Sequence, residues 1–120
     1  MFDDIYKKPT VWGQHAWVFL HCVTYSYPDK PTRLDKIHYK TFMNSLQFVL
    51  PCELCRKHYA EYLHHHPIDG FLESKDKFVH YVLKLHNYIN THFKKQKGIT
   101  LEQGKNRFEN FCIQQYMKDL

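Results

Sequence analysis

The sequence predicts an all-α protein, a four-helix bundle plus a short fifth helix. Three observations predict it. Only four Gly and five Pro interrupt 120 residues. No strand-like alternation of apolar and polar residues persists. Apolar residues recur instead at spacings of three and four, the period of one helix face. At this length the chain fits a single domain, residues 1–120 with a core over about 10–117.

Each element has its own signals. The first helix runs from about Thr10 to Tyr27 and is stopped by Pro28 and Pro31. The second runs from Arg33 to Leu50, with Leu34, Ile37, Phe42, Leu46 and Val49 as its apolar stripe, and ends at Pro51. The third starts at Cys52 and ends before Pro67; Pro67-Ile68-Asp69-Gly70 is a turn. The fourth runs from near Ser74 to Lys97-Gly98, its core face carrying Phe78, Val82, Leu85, Ile89 and Phe93. The fifth starts at Thr100, where Thr100-Leu101-Glu102-Gln103 resembles a capping box. Short connections make neighbouring helices antiparallel.

Composition narrows the function classes. With 43% hydrophobic and 17% aromatic residues the chain can bury a core or hold a flat ring system. No run of 18 apolar residues exists, so no membrane span is expected. The first eight residues contain no signal-peptide h-region, which predicts a cytoplasmic protein with reduced thiols. Net charge is +5. Nucleic acid is not the expected partner: the basic residues are mostly scattered Lys, without a zinc-finger spacing, an RNP motif or a basic arm.

Three groups of residues carry chemistry. Pro51-Cys52-Glu53-Leu54-Cys55 places two thiols three positions apart, where they can close on each other as a reversible disulfide. Half of a zinc site and a pair of core cysteines are the alternatives. A cysteine at a helix N-terminus lies in the positive end of the dipole, which favours its thiolate, and Arg56, Lys57 and His58 add positive charge. Zinc is geometrically poor, since residues 52 and 58 are about 120° apart on one helix. His64-His65-His66 reads as a solvated helix end, so no metal is expected. The second group is His86-Asn87-Tyr88-Ile89-Asn90. Asn competes with the backbone in mid-helix, yet two occur here. His86, Asn87 and Asn90 fall on one arc about 100° wide, a surface for ligand heteroatoms or a wet helix face. The third is Trp12-Gly13-Gln14-His15-Ala16-Trp17, followed by Leu20-His21. Trp17 and His21 share a face, and Gly13 allows close approach of another group.

In this order, and spanning Trp12 to about Phe108, the three groups resemble the Erv/ALR family of FAD-linked sulfhydryl oxidases, in the compact single-domain form of large DNA viruses. The resemblance implies a bundle that holds FAD, usually as a homodimer. It implies an FAD-dependent thiol oxidase that forms disulfides in protein or small dithiol substrates, passing electrons through Cys52 and Cys55 to FAD and then O2, with hydrogen peroxide as product. Cys52, at the exposed helix end, would meet the substrate, and Cys55 would face the flavin. Gly13, Gln14, Trp17, His21, His86, Asn87, Asn90, Lys95 and Phe108 match cofactor-contacting positions, His86 near adenine. The implied partner is a thioredoxin-like or small dithiol protein, and the location host cytoplasm or virion.

The chain also departs from the pattern. Gln14 stands where cellular members often have Arg; Lys94 or Lys95 would substitute. There is no second C-x-x-C, and the family's usual disulfide after the fourth helix cannot form. Cys22 and Cys112 are left over. Cys22, inside the first helix, is expected to be a buried inert thiol, and Cys112, on a short mobile terminal helix, to be dispensable. Phe19, Leu34, Ile37, Tyr39 and Phe42 offer more apolar surface than one small bundle buries, which fits a dimer interface.

Overall fold

The computed structural model describes residues 2–120; Met1 lies outside the described residues. Five helices form, α1 (Pro9–Tyr25), α2 (Arg33–Val49), α3 (Glu53–His65), α4 (Lys75–His92) and α5 (Leu101–Lys118). Single 3-10 turns precede α1 and α4. Among the described residues there is no strand. α1 lies along α4, α2 along α3, and α5 closes on α4.

The helix starts follow local chemistry. Thr32 and Asp35 form a reciprocal capping box at α2. At α5 the Gln103 side chain accepts from the Thr100 N–H at 2.9 Å, and Thr100 Oγ1 accepts from the Gln103 N–H at 3.1 Å. Ser74 caps α4 through the Lys77 N–H. α5 has 18 residues, as many as α4, so it is not short.

α4 ends at His92, five residues before the expected Lys97. Lys95 adopts φ 56°, the left-handed region, which turns the chain out of the helix. The Gln96 N–H then bonds the Asn90 carbonyl at 2.8 Å, and Asn87 Oδ1 accepts from the Ile99 N–H at 3.1 Å. One of the mid-helix asparagines therefore anchors the loop to α5.

The core lies between α2, α3 and α4, around Tyr27, Met43, Tyr59, Tyr62, Phe78, Val82 and Leu85. Its tyrosines keep their hydroxyls satisfied. Tyr27 donates to the Leu72 carbonyl at 2.7 Å and Tyr81 to the His66 carbonyl at 2.6 Å, both at ends of helical segments where carbonyls lack intrahelical partners. The buried side of α2 differs from the expected stripe. Met43 is fully buried, and Tyr39, Phe42 and Leu46 pack beside it, whereas Leu34, Ile37 and Val49 face outward. The cause is packing: α2 turns its tyrosine and methionine side toward Tyr27, Tyr59 and Phe78, including an edge-on Tyr27–Tyr39 contact at 4.7 Å. Tyr39 and Phe42 are thereby partly withdrawn from the outer surface, while Phe19, Leu34 and Ile37 remain on it.

Candidate active site

Two cavities share a wall made by Pro9, Trp17 and Lys94. The first, about 570 Å³, lies between α1, α4, α5 and the loop joining the last two. The second, about 320 Å³, lies between α1, α3 and the end of α4. Each falls within the roughly 300–1,000 Å³ usual for small-molecule sites.

Cys52 and Cys55 both line the second cavity. The α2–α3 corner presents them. Leu50 ends α2 in an extended conformation, and the Arg56 guanidinium donates to its carbonyl, fixing the turn through Pro51. Cys52 is the N-cap of α3, and its Sγ accepts from the Cys55 N–H at 3.2 Å. Because the sulfur turns in to cap the helix, Cys52 is half-buried rather than exposed. Cys55 is also half-buried, and its thiol is pushed up to about 12. Burial is the largest cause, followed by the hydrogen bond and charge of Cys52; the Lys94 ammonium opposes both. As a dithiol, then, Cys55 keeps its proton, and Lys94 is the group that favours its thiolate.

The surroundings of the dithiol are aromatic. His58 stacks on Phe93 with ring centroids 3.4 Å apart and an interplanar angle of 14°. Desolvation lowers the His58 pKa more than any neighbouring charge moves it. Thus His58 contributes a flat neutral wall, not the positive charge expected beside Cys52. Arg56 is already engaged with Leu50.

The first cavity is built on a ring cluster. Trp17 lies flat against His86, centroids 4.0 Å apart at 8°. His21 Nε2 meets His86 Nδ1 at 2.9 Å. Phe108 closes the group, 5.2 Å from His21 and 5.0 Å from Tyr25. Burial drives the His21 pKa down to about 4. Burial, then the neighbouring charges of His21 and Lys94, drives His86 down to about 3. Both rings are neutral at pH 7, so one donates to the other. Whichever donates, the two outer nitrogens present one donor and one acceptor.

The predicted site residues divide between the cavities. Gln14, His21, His86, Asn87, Asn90 and Phe108 line the first, Gly13 lines the second, and Trp17 lines both. Lys95 and Lys97 line neither; Lys94 takes that place because α4 ends early. Sequence reasoning missed Trp12, Phe93 and Arg107. Trp12 had a signal as the first residue of the Trp12–Trp17 group, and Arg107 as an isolated Arg one residue before Phe108. It lines the first cavity along with Gln14 and Lys94, a second cation where Gln14 brings none.

Features of the cavities fit FAD. Trp12 Nε1 and His21 Nδ1 are buried without a protein partner, and these residues line the second and first cavities respectively. A buried polar atom left unmatched is costly, so each is available to a ligand heteroatom. Gly13 is buried, yet a Cβ there would meet only Pro9, at an ordinary 3.8 Å. The space beside Gly13 thus belongs to the cavity and not to protein packing. Lys94 and Arg107 bring positive charge to the first cavity. Among the described residues no group of three His, Cys, Asp or Glu is placed to hold a metal ion.

A helical bundle with a dithiol turn against a two-part cleft defines the class of this protein, a helical dithiol bundle with a small-molecule cleft. Residues 14–109 match the model of the Erv1 / Alr family, and the chain belongs to that family. It is 42% identical over 84 residues to a probable FAD-linked sulfhydryl oxidase of Acanthamoeba polyphaga mimivirus, covering 69% of this chain and 59% of that protein. It is 35% identical over 78 residues to the FAD-linked sulfhydryl oxidase ERV1 of Arabidopsis thaliana, covering 65% of this chain and 40% of that one. The chain thus spans about half the length of these relatives. Among solved structures it is similar to the yeast Erv1 core, with TM-score 0.73 and 26% identity over 80% of this chain and 79% of that one. The FAD-binding domain of Erv1 from Saccharomyces cerevisiae is equally similar, with TM-score 0.73 and 26% identity over 82% and 90%. No described helix is long and apolar enough to cross a membrane.

Proposed function

We propose that this chain is an FAD-dependent thiol oxidase that makes disulfide bonds in protein or small dithiol substrates. The observation that carries the reading is the position of Cys55, half-buried in a largely apolar cavity that Cys52 and Lys94 also line, with the Lys94 charge favouring its thiolate. The names of the mimivirus and plant relatives support the same activity.

The residues divide the work. In the oxidised pair a substrate thiolate attacks Cys52 Sγ. The Cys52–Cys55 bond breaks and Cys55 leaves as a thiolate, which the Lys94 charge stabilises. The second substrate thiol then attacks the substrate sulfur of the mixed disulfide, the substrate leaves oxidised, and Cys52 Sγ departs as a thiolate that takes up the proton this thiol gave up. What FAD supplies when bound is a two-electron acceptor that O2 reoxidises, with hydrogen peroxide as product. Trp12, Gly13 and Trp17 would hold the ring system beside Cys55. The His21–His86 pair, Asn87, Asn90 and Phe108 would hold the adenosine part, and Lys94 with Arg107 the pyrophosphate.

The surface supports a reading of the partners. Phe48, Val49 and Leu54 are 75%, 65% and 59% exposed on the α2–α3 corner that carries Cys52. This apolar rim suits the flat surface around the dithiol of a thioredoxin-like or small dithiol protein. Phe19, Leu34 and Ile37 form a second exposed patch on α1 and α2, which we assign to a homodimer. We assign the protein to host cytoplasm or the virion, a reading that the likeness to a viral relative supports.

The test is spectroscopic and catalytic. Purified protein should be yellow, release FAD on denaturation, and consume O2 with a dithiol substrate. Colourless protein that cannot be reconstituted with FAD would overturn the reading. Light scattering should give a mass above that of one 14.7 kDa chain.

A further inference from the structure

Cys22 and Cys112 belong to no part of the mechanism above, yet the fold brings them together. α1 presents Cys22 and Tyr25, three residues apart and so on one face. α5 presents Phe108 and Cys112, four apart and also on one face. The two faces meet. Tyr25 and Phe108 have ring centroids 5.0 Å apart, and the Tyr25 hydroxyl reaches Glu109 at 3.5 Å. Cys22 and Cys112 line the same cavity of about 460 Å³, just beyond that contact.

Their states differ from those of packed core thiols. Cys22 is exposed, contrary to the buried inert thiol expected in mid-helix, because this side of α1 opens to solvent beside α5. Cys112 is half-buried, and its pKa is raised by burial and by the charge and hydrogen bond of Cys22. The two thiols thus face one cavity, one of them open to reagents.

α5 needs such a tie. Phe108 is its only buried side chain, while Ile113, Tyr116 and Met117 are exposed. The same helix supplies Gly104, Arg107, Phe108 and Phe111 to the wall of the first cavity.

We propose that Cys22 and Cys112 form a second redox pair, a reversible disulfide that staples α5 to α1 and latches the Phe108 wall of the first cavity. The latch rests on the FAD reading above; the staple does not. The oxidant is a small disulfide such as oxidised glutathione. The Cys22 thiolate attacks one of its sulfurs and releases one glutathione thiol. Cys112 then attacks Sγ of the mixed disulfide at Cys22 and releases the second. Two protein thiols are oxidised, one small disulfide is reduced to two thiols, and both protons end on the released thiols. Under reducing conditions the staple opens. Because the bond closes a loop spanning most of the chain, its effect on the unfolded state is large.

The full chain carrying Cys52→Ala and Cys55→Ala keeps Cys22 and Cys112 as its only thiols. Treated with oxidised glutathione, it should lose both thiols to alkylation while remaining one chain without a glutathione adduct, and peptide mapping should find Cys22 joined to Cys112. Its Tm should rise by about 5 °C or more. Adding Cys112→Ser should leave a glutathione adduct on Cys22 and no rise. Stable adducts on both cysteines, or joining between chains, would overturn the staple. In the same preparations bound FAD should leave several-fold more slowly from the oxidised form, and equal release rates would overturn the latch. If no FAD binds at all, the cofactor reading fails, while the mass and Tm still decide the staple.

Discussion

The two cysteine pairs are joined by opposite means. Cys52 and Cys55 meet because one helical turn puts them together, with Cys52 Sγ on the Cys55 N–H. Cys22 and Cys112 meet only because α5 docks on α1. The first pair survives as a neighbourhood in any state that keeps the start of α3; the second exists only in the finished fold. Their settings differ as well. Cys55 faces an apolar cavity with Lys94, whereas Cys22 faces solvent beside Tyr25 and Glu109. Local geometry secures a thiol pair for repeated turnover, and tertiary geometry makes one that reports on the fold itself.

Breaking each pair in turn gives the largest contrast. Cys52→Ser and Cys55→Ser should each lower dithiol-driven O2 uptake by at least about 100-fold, since exchange through one sulfur cannot release an oxidised substrate. In Cys52→Ser the hydrogen bond and charge that raise the Cys55 pKa are removed. Cys55 should then ionise more readily and give a long-wavelength absorbance band against bound flavin, a band absent from Cys55→Ser. Cys22→Ala combined with Cys112→Ser, assayed with FAD in excess, should keep most of the turnover. Uptake below a tenth of the parent rate with FAD still bound would mean that both pairs belong to one electron path.

Trp17 is the wall shared by the two halves of the cleft. Trp17→Ala removes the ring stacked on His86 and should cost about 3 kcal/mol in chemical unfolding of the apoprotein. Loss of much less would show that the His21–His86 pair stands without it.

Acid should act most strongly on the buried His21–His86 pair, and in the same direction on His58 beside the dithiol. His21 and His86 have folded pKa values near 4 and 3, below the ordinary 6.5. The unfolded chain therefore binds more protons between those values, and stability rises with pH in that window. The contribution is fully present above about pH 6.5 and is lost as pH falls toward 4. His86 also feels Lys94, while His21 has only His86 as an ionisable hydrogen-bond partner. His86→Gln should flatten the fall in Tm between pH 6.5 and 4; an unchanged slope would assign it to other groups.

The smallest effect separates two adjacent lysines. Lys94→Ala should weaken FAD retention by several-fold at low salt, because Lys94 lines both cavities. Lys95→Ala should change it little. Equal losses would show that the loop rearranges when the cleft fills.

Much of this molecule was legible as sequence because its signals are local. Helix starts depend on a few neighbouring residues, so Thr100 and Gln103 announced α5. The dithiol depends on four residues, and the polar arc of His86, Asn87 and Asn90 on one turn and a half. These features carried the fold class, the cysteine pair and most of the cavity lining. What failed depended on which neighbour a helix face meets. α2 carries apolar residues on more than one side, and only contact with Tyr27, Tyr59 and Phe78 selected Met43 over Leu34 and Ile37 for burial. The end of α4 was misplaced because nothing local marks Lys95 as the residue with positive φ; that backbone state is held by bonds from Gln96 to Asn90 and from Ile99 to Asn87. The shift moved the cavity cation from Lys95 to Lys94. Cys22 looked inert inside an apolar helix until packing turned it outward, against a cysteine near the other end of the chain. Sequence by itself determined the helices and the chemistry carried within one turn, since those energies arise among near neighbours. Tertiary structure alone decided which faces are buried, which cation lines the cleft and which distant thiols share a cavity, since those follow from where whole helices come to rest.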